Sequence, residues 1–188
     1  MMVLMTPTIE KLITGEELQA MGDIGPCELI DGRIVMMDAT GSEHGEIEGN
    51  FYEAIKNFAR PHNLGRVQVG EVGIYISRNP DRVRAADVLF ISLERYAQQK
   101  NKRAYLEVAP ELIVEILSPD DRATEVNKKL RDYFSIGVQL VWVVDPEEKT
   151  VLAYHSLTAV RAFAINDTLT AEDVLPGFAV PLSQLFET

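Results

Sequence analysis

The chain is poor in cysteine, since Cys27 is the only one among its 188 residues. A single cysteine cannot form an intramolecular disulfide, and it cannot supply the set of thiolates that a structural zinc site uses. A disulfide-stapled secreted fold and a cysteine-based zinc module are therefore excluded, and a reducing compartment suits the chain. The sequence also has no Gly-rich phosphate loop, GxSxG elbow or HExxH pair, so several common enzyme classes lose support.

Long hydrophobic runs are missing as well. No apolar run approaches the roughly 18 residues that would span a bilayer. The segment 1–11 lacks the basic stretch, apolar run and small-residue cleavage site of a secretory signal. We therefore expect a soluble, cytoplasmic protein. The length fits one domain over residues 1–188, with residues 1–13 as an N-terminal extension.

Positive charge is scarce, because 18 basic residues face 29 acidic ones and the net charge is -11. This balance argues against a protein that coats nucleic acid by bulk attraction to phosphate. Residues 56–131 are an exception, with 14 basic against 10 acidic residues, or +4, which leaves 4 minus 19, or -15, elsewhere. The asymmetry is compatible with a basic nucleic-acid face and equally with ordinary surface charge.

The order of helical and strand patterns predicts a mixed α/β (α+β) fold. A capping box of Thr14 and Glu17 opens a short helix over 14–20, and Asp31-Gly32 marks a hairpin turn within 27–37. Apolar periodicity predicts long helices over 42–60 and 123–136, the second ending at Gly137. Strands are predicted from Arg66, over 84–91, 112–119 and 140–146, and around 149–156. The remainder, from Arg161, is expected to be irregular, with a short hydrophobic piece at 182–186 that docks on the body.

Two carboxylates interrupt predicted apolar strands, Asp87 in AADVLFI and Glu115 in LIVEILSP. A buried ionised carboxylate must be neutralised, paired or coordinated to a metal. Two such acids on neighbouring strands suit Mg²⁺, which binds one or two carboxylates together with water and phosphate oxygens. Their alternative role, as buried partners of Arg or Lys, is equally compatible with the residues alone.

Helical geometry distinguishes two candidate lysines. At 100° per residue, Lys129 falls on the edge of the apolar stripe that begins at Val126, whereas Lys128 lies almost opposite. Only Lys129 can therefore extend its ammonium across the stripe toward the acids of the sheet. A solvated surface lysine is the alternative.

Three further residues are candidate accessory groups. Glu48 could position water or add a metal ligand, and His44, one helical turn earlier, could contact phosphate or transfer protons near neutral pH. A helix-surface pair is the simpler interpretation of both, since acids are favourable in a first helical turn. Glu28 in CELIDG is similarly ambiguous. Asp31 and Asp145 are left out because both lie in turn dipeptides.

Together the segments CELIDG, AADVLF, LIVEILSP and KKLRDYFSIGVQLVWVVDP, with the helix that carries His44, resemble the Uma-two family. The resemblance runs from Thr14 through Phe186 and places the chain with restriction-endonuclease-like proteins of the PD-(D/E)XK nuclease superfamily. It implies a mixed β-sheet flanked by helices, Mg²⁺ or Mn²⁺ binding, hydrolysis of DNA phosphodiester bonds, and a homodimer.

The resemblance also implies roles for residues. Asp87 takes the place of the motif aspartate, Glu115 that of the second acid, and Lys129 that of a lysine moved to the following helix. Ala86 replaces the motif proline, and Leu117 occupies the position where many members carry lysine, so catalysis depends on Lys129.

The leading hypothesis is thus a Mg²⁺-dependent endonuclease whose metal is bound by Asp87, Glu115 and the Ile116 carbonyl, with Lys129 orienting water or stabilising charge on the phosphate. A catalytically inactive binding or scaffold protein with the same fold is the alternative, favoured by the acidic charge and by Leu117. A phosphohydrolase acting on a small phosphorylated molecule is a third hypothesis.

Overall fold

The computed structural model describes residues 11–187, which form a mostly antiparallel sheet with helices packed on both faces. The helices and strands, in chain order, are α1 (Gly15–Ala20), β1 (Cys27–Ile30), β2 (Arg33–Met36), α2 (Ser42–Ala59), β3 (Gly65–Ser77), β4 (Arg82–Ser92), α3 (Leu93–Ala97), β5 (Leu112–Ile116), α4 (Ala123–Ser135), β6 (Leu140–Asp145), β7 (Thr150–Tyr154), β8 (Val160–Phe163), β9 (Thr168–Thr170), β10 (Ala179–Pro181) and α5 (Leu182–Leu185).

The main sheet has the strand order β2-β1-β4-β5-β6-β7-β8, and β3 pairs with β4 as well. Only β5 and β6 are parallel, because α4 carries the chain back between them. Strand β4 is the centre of the sheet: it pairs with β3 along nearly its whole length, with β1 at Val83, and with β5 from Val88 to Phe90. Strands β1 and β5 thus lie along the same edge of β4, and residues 84–87 of that edge lie in a gap between them.

The two faces of the sheet bury separate clusters. Helices α2 and α5 cover one face, where the Phe51 ring meets Trp142 edge-on. Helix α4 covers the other face with Leu130 and Tyr133, both almost fully buried. Strand β5 is buried throughout, as a strand covered on both sides must be. Polar side chains on its α4 face therefore lie in the interior.

Most of the predicted elements are confirmed. The Thr14–Glu17 capping box opens α1 with both of its hydrogen bonds, and Asp31 and Gly32 have the positive φ that the hairpin turn between β1 and β2 requires. Helices α2 and α4 lie within a residue of their predicted bounds, and Gly137 follows α4 with φ of 95°. No helix within residues 11–187 is long and apolar enough to cross a membrane.

The prediction of an irregular segment from Arg161 onward was wrong. Strand β8 extends the main sheet beside β7 and buries Phe163, while β9 and β10 form a small antiparallel pair. These strands are three or four residues long, too short for alternation to mark them. The final hydrophobic piece does dock, as α5, with Leu182 and Leu185 buried. Residues 1–10 of the expected N-terminal extension lie outside the described residues.

Two glycines give a matched test of the packing. An added Cβ at Gly65 would collide with the Ile91 carbonyl oxygen across the β3–β4 pair, whereas one at Gly49, on the open side of α2, would meet nothing within 4 Å. We expect Gly65→Ala to destabilise the protein by about 1–3 kcal/mol and Gly49→Ala to stabilise it by about 0.5–1 kcal/mol. Urea denaturation of both variants checks this, and a tolerated Gly65→Ala would contradict the strand register.

Candidate active site

The site begins where β4 and β5 separate. Their pairing, Val88 with Val114, would bring Asp87 next to Glu115 if it continued. Instead the Asp87 Oδ2 accepts the Ile116 amide hydrogen at 2.7 Å, so a side-chain hydrogen bond replaces the next backbone hydrogen bond between the strands. This bond fixes the orientation of the Asp87 carboxylate and leaves its Oδ1 directed elsewhere. Both acids thus converge at the end of the shared β4–β5 edge.

Glu115 is buried and both of its oxygens accept hydrogen bonds from α4. The Lys129 ammonium donates to Oε2 and the Tyr133 hydroxyl to Oε1, each at 2.5 Å. Burial, with a smaller contribution from the negative charge of Asp87, raises the pKa of Glu115 to about 7, although Lys129 opposes the shift. Burial disfavours the Lys129 ammonium too, but the Glu115 carboxylate outweighs it and raises the pKa of Lys129. The lysine is thus charged at neutral pH.

His44 faces the same acids from the start of α2. Its Nε2 lies 3.7 Å from Asp87 Oδ1, longer than a hydrogen bond, and its side chain is 10% exposed. Within residues 11–187, neither ring nitrogen has a hydrogen-bond partner, although both are buried. The Asp87 carboxylate raises the pKa of His44 above its ordinary value, against the effect of burial. A buried imidazole without a partner can donate a hydrogen bond to a group that enters the site.

A β-bulge at Gly70–Glu71 brings a third carboxylate close to Asp87. The β3–β4 register shifts between Val69 and Val72, opposite Asp87, and Glu71 has φ of 55°. Among residues 11–187, the other positive-φ residues with side chains lie in turns, and Glu71 alone lies within a strand. Burial and then the charge of Asp87 raise the pKa of Glu71. Backbone strain at such a position is typical of functional sites.

Glu48 completes the cluster from α2. It accepts the Gly70 amide hydrogen at 3.0 Å, so the helix and the bulge are joined directly beside the acids. Burial raises the pKa of Glu48, and Asp87 adds to the shift. Within the described residues, the carboxylates of Glu48, Glu71, Asp87 and Glu115 therefore lie near a single ammonium, that of Lys129, and the imidazole of His44.

Behind Lys129 lies a second, fully paired group of charges. The Arg84 guanidinium binds Glu28 at 2.6 Å and Asp132 at 2.7 Å, and all three side chains are buried. Glu28 also accepts the Ala85 amide hydrogen at 3.2 Å, in the gap between β1 and β5. Arg82 also donates to Asp132 at 2.7 Å, so both acids of the group are paired with arginines. The group therefore supports α4 against the sheet and is not a candidate ligand set.

The structure brings together Asp87, Glu115, Lys129, His44 and Glu48 and sets Glu28 one layer behind them. Lys128, by contrast, is exposed and pairs with Glu125, as the helical wheel predicts. The simpler interpretation of His44 and Glu48 as a surface pair was wrong, because the His44 side chain is 10% exposed and Glu48 binds the bulge at Gly70. Sequence reasoning missed Glu71, although glycine inside a strand, here Gly70, is a signal of a bulge.

The donor set fits a divalent cation in its charge and chemistry. Within the described part of the chain, no three His, Cys, Asp or Glu side chains are gathered closely enough to hold a metal by themselves. Mg²⁺ does not need three, because it is commonly held by one or two carboxylates, water and phosphate. The carboxylates outnumber the cations beside them, which fits the binding of an added cation.

Comparisons with known proteins support the same fold. Residues 16–183 match the Uma2 family, whose description is "Putative restriction endonuclease". A crystal structure of a "putative nuclease" from Anabaena variabilis superposes with a TM-score of 0.77 at 22% sequence identity, covering 93% of this chain and 97% of that one. No curated protein matches the chain significantly.

Glu71 allows strain and charge to be tested separately. Glu71→Gly removes the side chain and the left-handed penalty, which is about 1–2 kcal/mol for residues with a Cβ. Glu71→Gln keeps the penalty and removes only the charge. We expect the glycine variant to be the more stable of the two by about 1 kcal/mol in thermal denaturation. A glutamine variant of equal or greater stability would show that the bulge is unstrained.

The Glu115 pKa predicts a pH dependence of stability. Its pKa is higher in the folded protein, about 7, than the ordinary 4.5, so the folded state binds a proton more tightly. The stability that this proton contributes is complete below about pH 4.5 and is lost as the pH rises through about 7. A Glu115→Gln/Lys129→Met double variant lacks both groups and is the control. In EDTA, the stability of the natural protein relative to this variant should fall over that range, and a rise would contradict the assignment.

Proposed function

The chain belongs to the Uma2 family of restriction-endonuclease-like proteins, and from this premise we propose that it is a metal-dependent endonuclease that hydrolyses DNA phosphodiester bonds. The observation that carries the proposal is the convergence of Asp87 and Glu115 beside the Lys129 ammonium. We also propose that the protein acts as a homodimer.

In this proposal Asp87, Glu115 and the Ile116 carbonyl hold Mg²⁺ or Mn²⁺. The metal, when bound, supplies an activated water and stabilises negative charge on the phosphate under attack. The Ile116 amide holds the Asp87 carboxylate in one orientation, so this ligand is preorganised.

Lys129 takes the role of the lysine that Leu117 cannot play. Leu117 packs into the same cluster as Leu130 and Tyr133, so position 117 and α4 approach one side of β5. An ammonium held beside the acid pair can orient the attacking water or offset charge in the transition state. His44, with a raised pKa and no hydrogen-bond partner, can donate to a phosphate oxygen or to the leaving oxygen.

A catalytically inactive protein is the competing candidate, and one observation favours it. Both Glu115 oxygens are already engaged by Lys129 and Tyr133, which is the arrangement of a buried ion pair that needs no metal. Calorimetry separates the candidates: saturable Mn²⁺ binding that disappears in Asp87→Asn supports the metal site, whereas the absence of binding supports the inactive protein.

Nicking of supercoiled plasmid DNA in Mg²⁺ or Mn²⁺ tests the activity. We expect Asp87→Asn, Glu115→Gln and Lys129→Met each to lower the rate by at least about 10²-fold, because the first two remove a proposed metal ligand and the third removes the ammonium that offsets charge on the phosphate. Lys128→Met is the matched control, since this neighbouring lysine is exposed and directed away. Equal activity of Lys129→Met and Lys128→Met would refute the role of Lys129, and no nicking by the natural protein on many DNA substrates would refute the proposal.

A further inference from the structure

A basic groove leads away from the acid cluster between α2 and β3. Tyr52, Lys56 and Arg60 of α2 and Gly65 and Arg66 of β3 line a depression of about 360 Å³. Further along the same two elements, the hydrogen bond from the Gly70 amide to Glu48 joins β3 to α2 beside the acids. The groove and the candidate active site are thus two ends of one α2–β3 interface.

The three cations of this groove are not paired with acids. Of the fourteen cations in residues 56–131, six are in ion pairs: Arg78, Arg82, Arg84, Arg95, Lys128 and Lys129. Within residues 11–187, no carboxylate forms an ion pair with Lys56, Arg60 or Arg66. These three unpaired cations share one depression in a chain whose net charge is -11.

Aromatic rings position two of these cations without neutralising them. The Lys56 ammonium donates to the Tyr52 hydroxyl at 2.6 Å, and the Arg66 guanidinium lies 4.7 Å from the centre of the Tyr96 ring. Lys102 lies over the same ring at 5.3 Å. Such contacts restrict the side chains and retain their full positive charge, which suits recognition of an anion.

The dimensions of the groove fit several phosphates in a row. From Gly70 to Gly65, β3 spans about 17 Å, and from Glu48 to Arg60, α2 spans about 18 Å. Over this length, Lys56, Arg60 and Arg66 can each contact one phosphate of a nucleic acid strand.

We propose that this groove binds the sugar-phosphate backbone of a nucleic acid strand and directs it into the acid cluster. The inference rests on the proposed nuclease function and adds the path of its substrate. Lys56, Arg60 and Arg66 neutralise phosphates in succession, and the Tyr52 ring lies between them and Glu48. Because backbone contacts do not distinguish bases, the groove provides affinity and orientation rather than sequence preference.

The salt dependence of binding tests the groove directly. The triple variant Lys56→Gln/Arg60→Gln/Arg66→Gln is compared with Lys128→Gln/Lys149→Gln/Arg161→Gln, which removes the same charge from exposed positions elsewhere. Binding of a fluorescent DNA oligonucleotide is measured in EDTA, where cleavage is prevented. We expect the groove variant to bind at least tenfold more weakly and to lower the slope of log affinity against log salt by about 2–3, since each phosphate contact contributes about 0.7–0.9.

The control variant should retain the natural slope, and deoxycytidine monophosphate should not compete at concentrations where the oligonucleotide does. Equal slopes in the two variants, or no oligonucleotide binding by the natural protein, would overturn the groove. If the groove variant alone loses affinity but the natural protein never nicks DNA, the proposal that the groove binds nucleic acid is supported and the nuclease proposal fails. If the natural protein nicks DNA and both variants bind alike, only the proposal for the groove fails.

Discussion

The buried carboxylate of Glu115 requires the residues around it to compensate its charge. An ionised acid on a strand covered on both faces is strongly unfavourable unless hydrogen bonds and opposite charge compensate it. Helix α4 supplies both, through Lys129 and Tyr133, so its position over β5 follows from electrostatics as well as from packing. The paired Arg84 group behind it fixes the same helix to β1 and β4. Structure and candidate chemistry therefore depend on the same contacts.

The divergence of β1 and β5 beside β4 creates the space in which these contacts form. A continuous ladder would have directed the polar groups of this region into backbone hydrogen bonds. Instead the side chains of Asp87 and Glu28 take over two main-chain amides, those of Ile116 and Ala85. On the opposite edge of β4, the bulge adds Glu71. The irregular parts of the sheet thus coincide with the acid cluster.

The sequence predicts the regular parts of this arrangement well, because periodicity and capping act locally. The faces of α4 and the hairpin turn at Asp31-Gly32 both follow from short patterns. Glu71 could not be assigned in the same way, since its importance depends on a register shift in the pairing of β3 with β4. The burial of His44 was likewise not predicted, because it depends on how α2 packs against the sheet. Short strands such as β8 carry too few residues for a pattern.

The spacing of residues along helix α2 limits how the sequence of this protein can vary. Its first turns present His44 and Glu48 to the acids, and its later turns present Lys56 and Arg60 to the groove. One inserted or deleted residue between these halves would rotate one half by about 100° relative to the other. The number of residues that separates Glu48 from Lys56 is therefore fixed, although the exposed positions between them, Gly49 and Glu53, can change. Over this stretch, natural selection should tolerate substitutions far more readily than changes in length.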